Sequence, residues 1–258
     1  MRLRTRVLLL VGAVLLAFGL YAAYNQRDDH RCYGDTTVRT FNLGLANVHL
    51  LGRAGHYVLV DAGPAGQEAE LEARLRRAGV RPTAIRLIIL SHGHADHAGG
   101  ARYFQRRYGI PVLAGAGDTA MLRRGRNDSL TTHSALGRFT RRFIATRATD
   151  WFPALRPDLM VVDSFSLRPY GLAGTVRALP GHTPGSVLVA LGRVAFVGDL
   201  FRGALLARQV PREHFFQPDL AVAHRTIRQV LQQPFATFYL GHGGPCRAED
   251  VRWELLPE

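Results

Sequence analysis

Ser91-His-Gly-His-Ala-Asp-His-Ala-Gly-Gly100 places three histidines and one aspartate within six residues, directly after the apolar run Leu87-Ile-Ile-Leu90. The run reads as a buried strand, so the histidines begin at a strand's C-terminal end, where loops commonly carry function. Three explanations compete for the crowding: a metal site, a proton relay, or chance in a histidine-bearing loop. One helix or strand could not point His92, His94, Asp96 and His97 the same way, whereas a loop can turn them inward together. Neutral imidazoles beside a carboxylate suit zinc, iron or manganese. The density of such groups favours metal over a structural role.

Working outward, the flanking sequence is rich in short strands with glycine punctuation. Strands are predicted over Val38–Leu43, Ala46–Leu51, His56–Asp61, Arg86–Ser91 and Pro111–Ala114. Further strands are expected at 160–162, Thr175–Leu179, Ser186–Leu191, Arg193–Val197 and Phe235–Leu240. Helices are predicted over Gln67–Ala78, where Leu71 and Leu75 lie four apart and Gly79 stops the run, and over Gly99–Tyr108 and Asp219–Gln232. Residues 116–158 break the rhythm, with seven arginines between Arg123 and Arg147. Within them Ser134–Ile144 reads as an amphipathic helix, either packed on the domain or serving as a lid that faces lipid. Two strand-rich halves with intervening helices suggest a layered α/β sandwich. There is no 20–50-residue repeat and no low-complexity tract.

Three later positions repeat the theme of a polar residue among glycines at a strand end: Pro180-Gly-His182-Thr-Pro-Gly-Ser186, Val197-Gly-Asp199, and Leu240-Gly-His242-Gly-Gly-Pro245. A carboxylate at Asp199, beside apolar Ala195-Phe-Val197, is costly to bury unless it is paired or bound to metal. Any one of these is adequately explained as a turn with a capping residue. The four motifs together, in this order, are not.

Together they resemble the metallo-β-lactamase-fold hydrolase superfamily over roughly residues 38–246. The His-x-His-x-Asp-His signature is present as His92, His94, Asp96 and His97. His182 matches the family's third histidine, Asp199 its bridging aspartate and His242 its last histidine, while Asp61 matches a supporting aspartate. The resemblance implies a four-layer αββα sandwich with the metal site at one edge. It implies one ion held by His92, His94 and His182 and a second held by Asp96, His97 and His242. Asp199 would join them, and Asp61 would stand behind the ligands. The ions expected are two divalent cations, zinc first, with iron or manganese as the other options. Such a pair can share a water-derived hydroxide and polarise a substrate oxygen. The resemblance assigns catalytic parts to Asp199 and to Asp96, which would also orient the attacking group or shuttle its proton.

Asp199 resembles the glyoxalase II-like and lactonase-like branch, because metallo-β-lactamases proper generally carry another residue there. The function expected is therefore hydrolysis of a carboxylic ester, thioester or lactone of a small-molecule substrate. The alternatives are a metallo-β-lactamase acting on β-lactams, a mononuclear-iron persulfide dioxygenase, and a metal-binding scaffold without hydrolysis. His133, in Thr131-Thr-His-Ser134, and His214, in Glu213-His-Phe-Phe216, are candidates for binding the substrate. His49 reads as structural.

The remaining composition bears on location. The chain has 258 residues and a net charge of +13, and all 33 of its basic residues are arginine. That charge reads either as a bias toward arginine for surface cations or as attraction to anionic lipid or an acidic substrate; no nucleic-acid-binding signature accompanies it, so no specific nucleic acid is expected. Arg2, Arg4 and Arg6 precede the uncharged run 7–24, which as a helix spans about 27 Å against roughly 30 Å of membrane hydrocarbon. The expected organisation is an anchor or signal sequence over 1–24, a linker over 25–36, and a hydrolase domain over 37–258. The catalytic domain is expected outside the cytoplasm, tethered to the membrane or released after cleavage. Cys32 and Cys246 could pair in such a compartment or stay free.

Overall fold

Val58 and Val60 face one way and Leu59 the other, the two-residue alternation that lets one strand serve two cores. In the computed structural model of the protein, the described residues are 12, 28–44, 46–132, 134, 135, 137, 138, 141 and 147–256. The hydrophobic run 7–24, apart from Gly12, lies outside them, as do His133 and much of the helix expected over 134–144. Among the described residues, no helix is long and apolar enough to cross a membrane.

The first sheet has seven strands in sequence order. They are β1 (Asp29–Tyr33), β2 (Thr36–Leu43), β3 (Ala46–Arg53), β4 (His56–Val60), β5 (Ile85–Ile89), β6 (Val112–Gly115) and β7 (Leu159–Val161). The first four pair antiparallel, as a meander joined by short turns. From β4 to β7 the pairing is parallel, which requires crossover connections. Helices α1 (Glu68–Arg77), α2 (Ala95–Ala98), α3 (Ala101–Tyr108) and α4 (Thr119–Arg124) lie in these connections.

The second sheet is built from β8 (Ser164–Ser166), β9 (Gly174–Ala178), β10 (Val187–Leu191), β11 (Val194–Phe196), β14 (Thr237–Tyr239) and β15 (Cys246–Arg247), in the order β15-β14-β11-β10-β9-β8. A two-stranded ribbon, β12 (Arg202–Gly203) with β13 (Pro211–Arg212), follows β11 in the chain. Helices α5 (Leu220–Leu231) and α6 (Ala248–Leu255) complete the fold.

Three cores make four layers. Leu59, Ile88 and Leu90 pack with Leu71 and Leu75 of α1 and Phe104 of α3, outside the first sheet. Val58, Val60, Leu87 and Ile89 meet Val187, Val189 and Phe196 between the sheets. Leu188, Ala195 and Phe238 pack against Ile227 of α5 and Val251 of α6. The order is helix, sheet, sheet, helix, the αββα sandwich expected.

Three readings need correction. Asp29–Tyr33 is the edge strand β1 and no linker, with five residue pairs to β2. Its polarity reflects its position, since edge strands carry charge and His30, Arg31 and Cys32 are exposed. The opening histidine stretch, expected to be a loop throughout, contains the short helix α2, and the helix expected over Gly99–Tyr108 begins two residues later as α3, with Gly99-Gly100 between the two. A Cβ on Gly99 would overlap the Ala65 backbone nitrogen, so this turn presses directly on the loop after β4. Both cysteines are free, Cys32 exposed and Cys246 buried.

Candidate metal centre

Strand ends from both sheets open on one edge. β4 leads to Asp61, β5 to His92 and His94, β9 to His182, β11 to Asp199 and β14 to His242. His94 is the extended N-cap of α2 (φ −72°, ψ 153°), so Asp96 and His97 project from that short helix's single turn while His92 and His94 come from the preceding loop. This change of backbone form lets four groups in six residues converge.

The convergence centres on Asp199 Oδ2. It lies 3.2 Å from His242 Nε2, 3.2 Å from His214 Nε2 and 3.5 Å from His97 Nε2. His182 Nε2 is 3.7 Å away and His92 Nε2 3.8 Å. Candidate ligand atoms of His92, His94 and His182 lie within 4.8 Å of one another, and so do those of Asp96, His97 and His242. Both groups match the sequence-derived sets. Two further such groups are His92–His97–Asp199 and His182–Asp199–His214.

Nitrogen faces nitrogen across the site: His94 Nδ1 is 3.0 Å from His182 Nε2, and His97 Nε2 is 3.4 Å from His242 Nε2. Buried His92 Nε2, His182 Nδ1 and Asp199 Oδ1 have no hydrogen-bond partner among the described residues. Such orphaned atoms are costly; of the three, His92 Nε2 faces Asp199 Oδ2, and its lone pair together with those of His182 Nε2 and Asp199 Oδ2 makes a donor set that fits a cation.

Electrostatics point the same way. Burial pushes the Asp199 carboxyl upward, but His242, His97 and His214 outweigh it and hold the group well below the usual carboxylate range. Burial likewise opposes charge on His242, yet Asp199 and Asp96 raise it to about 10. His97 is raised well above its ordinary value against burial, by Asp96, Asp199 and Asp61. His92 and His182 are driven down, first by burial and then by neighbouring imidazoles. The site thus combines strongly anionic carboxylates, two imidazoles that those carboxylates hold toward the charged form, His97 and His242, and two that burial keeps neutral, His92 and His182.

A supporting shell fixes the loops. Asp61 accepts from Ser91 N at 2.7 Å and Ser91 Oγ at 2.8 Å, and its Oδ2 lies 3.0 Å from His97 Nδ1. Asp118, which the sequence reading missed, accepts from Gly93 N at 2.7 Å, Thr183 Oγ1 at 2.7 Å and Gly185 N at 2.8 Å. It thereby ties the His92–His94 loop to the His182 loop. Asn47, also missed, donates to the carbonyls of Leu240 at 2.9 Å and Gly243 at 2.7 Å on either side of His242. His49 is structural, as expected: it bridges Thr40 Oγ1 and the Leu240 carbonyl, and burial lowers it to about 4.

The centre opens into a cleft of about 550 Å³ whose lining includes Asp96, His214, Leu43, Phe215, Arg202 and Arg208. The Arg202 guanidinium carbon lies 3.7 Å over the centroid of the Phe215 ring. Neither arginine was singled out from sequence. Their one signal is proximity, since Arg202 follows Asp199 by three residues. His214 does line the cleft, as its candidacy required.

Sandwich and clustered donors together define a metal-binding hydrolase class. The chain belongs to the Metallo-beta-lactamase superfamily, whose family model matches residues 42–242. The family binds metal ions, and membership implies metallohydrolase activity. A "Hydroxyacylglutathione hydrolase" of Anaeromyxobacter dehalogenans is 31% identical over 151 residues, covering 58% of this chain and 44% of the relative. "Hydroxyacylglutathione hydrolase GloC" of Haemophilus influenzae is 27% identical over 153 residues, covering 58% of this chain and 64% of the relative. The matched stretch thus spans less than two thirds of either relative. Among solved structures, the metallo-β-lactamase MIM-1 of Novosphingobium pentaromativorans aligns with a TM-score of 0.58 and 25% identity, over 83% of this chain and 76% of that one.

Proposed function

We propose that the protein hydrolyses a carboxylic ester, thioester or lactone at a centre of two divalent cations, zinc first. In this reading His92, His94 and His182 hold one ion, Asp96, His97 and His242 the other, and Asp199 lies between. The observation that carries it is the surrounding of Asp199 Oδ2 by histidine nitrogens from both groups within 3.8 Å. Bound divalent cations supply Lewis-acid polarisation of an acyl oxygen and an acidified water. The chain contributes the rest. Asp199 holds the two groups of imidazoles in register, and Asp61 orients His97 through Nδ1. The carboxylate of Asp96, half exposed and facing the cleft, is placed to receive a proton from attacking water. Leu43, Phe215 and Phe216 give the cleft apolar walls.

The thioester option draws support from the relatives' name, since an acylated glutathione is a thioester. The aspartate at 199 favours this branch over β-lactam hydrolysis. Residues 7–24 would tether the domain to a membrane, with the catalytic part outside the cytoplasm, on the strength of their uncharged run behind three arginines. The test is metal analysis of the purified full chain together with a panel of lactones, thioesters, β-lactams and phosphodiesters. About two ions per chain and turnover of an ester, thioester or lactone are expected. A single iron with oxygen uptake on a persulfide, or turnover of β-lactams alone, would overturn the reading.

A further inference from the structure

His214 stands outside the ligand set implied by the family, yet shares its surroundings. It lies just beyond β13 in Glu213-His-Phe-Phe216, and its ring is buried. Its Nε2 is 3.2 Å from Asp199 Oδ2, as close as His242 and closer than His97, His182 or His92. The ring meets that of His182 edge-on at 4.6 Å and stacks with that of His242 at 5.6 Å. Candidate ligand atoms of His182, Asp199 and His214 lie within 4.8 Å of one another.

The other ring nitrogen decides what Nε2 can do. Nδ1 lies 3.2 Å from the Phe216 carbonyl oxygen and 3.3 Å from the Phe216 nitrogen. If Nδ1–H donates to the carbonyl, Nε2 keeps a bare lone pair that faces a carboxylate oxygen. Those lone pairs repel unless a cation lies between them. One ring N–H on a backbone carbonyl with the opposite nitrogen free is the usual orientation of a metal-ligating histidine. In the other tautomer Nδ1 accepts from Phe216 N–H, and Nε2–H donates to Asp199, so that His214 merely props the carboxylate.

The geometry points to the first arrangement: His214 is an additional nitrogen donor to the ion shared by His182 and Asp199, on the cleft side of the centre. This inference rests on the metal-centre reading above. It makes the two groups unequal. One ion gains a fifth side chain, whereas the other keeps Asp96, His97, His242 and the shared Asp199. The second group is also more open, with the Asp96 and His242 side chains 44% and 21% exposed against 7% for His214. The ion near His214 is therefore the last to leave when a chelator competes.

The experiment loads the full chain with Co²⁺ and titrates it with EDTA, following metal content and the visible absorption of the ion. Wild type, His214→Ala and His214→Gln are compared, with circular dichroism of each metal-free protein to register folding. Wild type should lose its ions in two steps. In both variants the later step should weaken by on the order of tenfold or more and the band should shift. Added imidazole should restore the band in His214→Ala. A glutamine amide can donate to Asp199 but is a poor substitute for an imidazole ligand. Wild-type affinity and spectrum in His214→Gln would therefore overturn the inference in favour of the propping tautomer, as would an unchanged His214→Ala. A wild-type chain that takes up no Co²⁺ would instead overturn the metal-centre reading itself, and this inference with it.

Discussion

Asp61 holds a left-handed backbone conformation, φ +67°, that non-glycine residues seldom adopt. The cost is offset by what the turn achieves. Asp61 N donates to the Ile89 carbonyl at 2.8 Å, and the side chain holds Ser91 and His97. The residue thus sets the spacing between the ends of β4 and β5 and orients a ligand candidate. Asp61→Ala should lower metal affinity by about 10- to 100-fold while leaving a folded protein, as read by chelator competition and circular dichroism. Gly241 is required for a different reason. A Cβ there would overlap Asp199 Oδ1, with His97 Cε1 only 2.7 Å away. Gly241→Ala should therefore displace the central carboxylate, and less than half of the wild-type metal content should survive gel filtration. Full retention would show that Asp199 tolerates the shift. Asp61, Asp199 and the histidines were legible in the sequence because each follows a recognisable strand end among glycines. Asp118 and Asn47 were not, because the groups through which they fix the ligand loops are backbone atoms and a hydroxyl dozens of residues away.

At the scale of elements, the reading of short apolar runs between glycines exposed β4, β5 and β10, each of which divides its side chains between two cores and is therefore apolar on both faces. It failed where that pattern is absent. β1 is charged on an open edge, and β12, β13 and β15 are two residues long, with too few positions to show a period. Helix α1 shows what such an element hides on its outer surface. Its buried Glu72 accepts from Tyr103 at 2.7 Å and Tyr108 at 2.5 Å, both from α3, and pairs with Arg76 at 2.9 Å. Burial alone would raise this carboxyl, but the two hydroxyls and the Arg76 and Arg107 charges carry it below its ordinary value. A carboxyl depressed in the folded state contributes stability above its unfolded pKa and loses it as pH falls through the folded one. Glu72→Gln should thus be less stable than wild type by about 1.5 kcal/mol at pH 7. The gap should hold above the ordinary glutamate pKa of about 4.3 and close as pH falls through the lower value of the folded state. Urea denaturation of both proteins across that range checks it, and a gap independent of pH would refute the role of charge.

At the scale of the molecule, the candidate centre is the place where the two sheets are tied together at their edge. His92, His94, Asp96 and His97 follow β5 of the first sheet, whereas His182, Asp199 and His242 follow β9, β11 and β14 of the second. Between the sheets the contacts are apolar and non-directional, through Leu87, Ile89, Val187 and Phe196. Ions held at the edge would add directed bonds that span both sheets, and they would bind a geometry that the unfolded chain does not have. Stability must then depend on free metal concentration by mass action. Each tenfold rise above the dissociation constant adds about 1.4 kcal/mol per ion, or roughly 3–5 °C in the unfolding midpoint for a domain of this size. Melting curves of the full chain in buffered zinc should therefore rise linearly with the logarithm of free zinc. Two ions of comparable affinity should give about twice the slope of one. Asp199→Ala removes the side chain that both groups share, so its slope should fall to that of one ion or less. A midpoint indifferent to zinc in the wild-type chain would mean that the edge is held by the protein's own contacts, and that its converging lone pairs are tolerated without a cation.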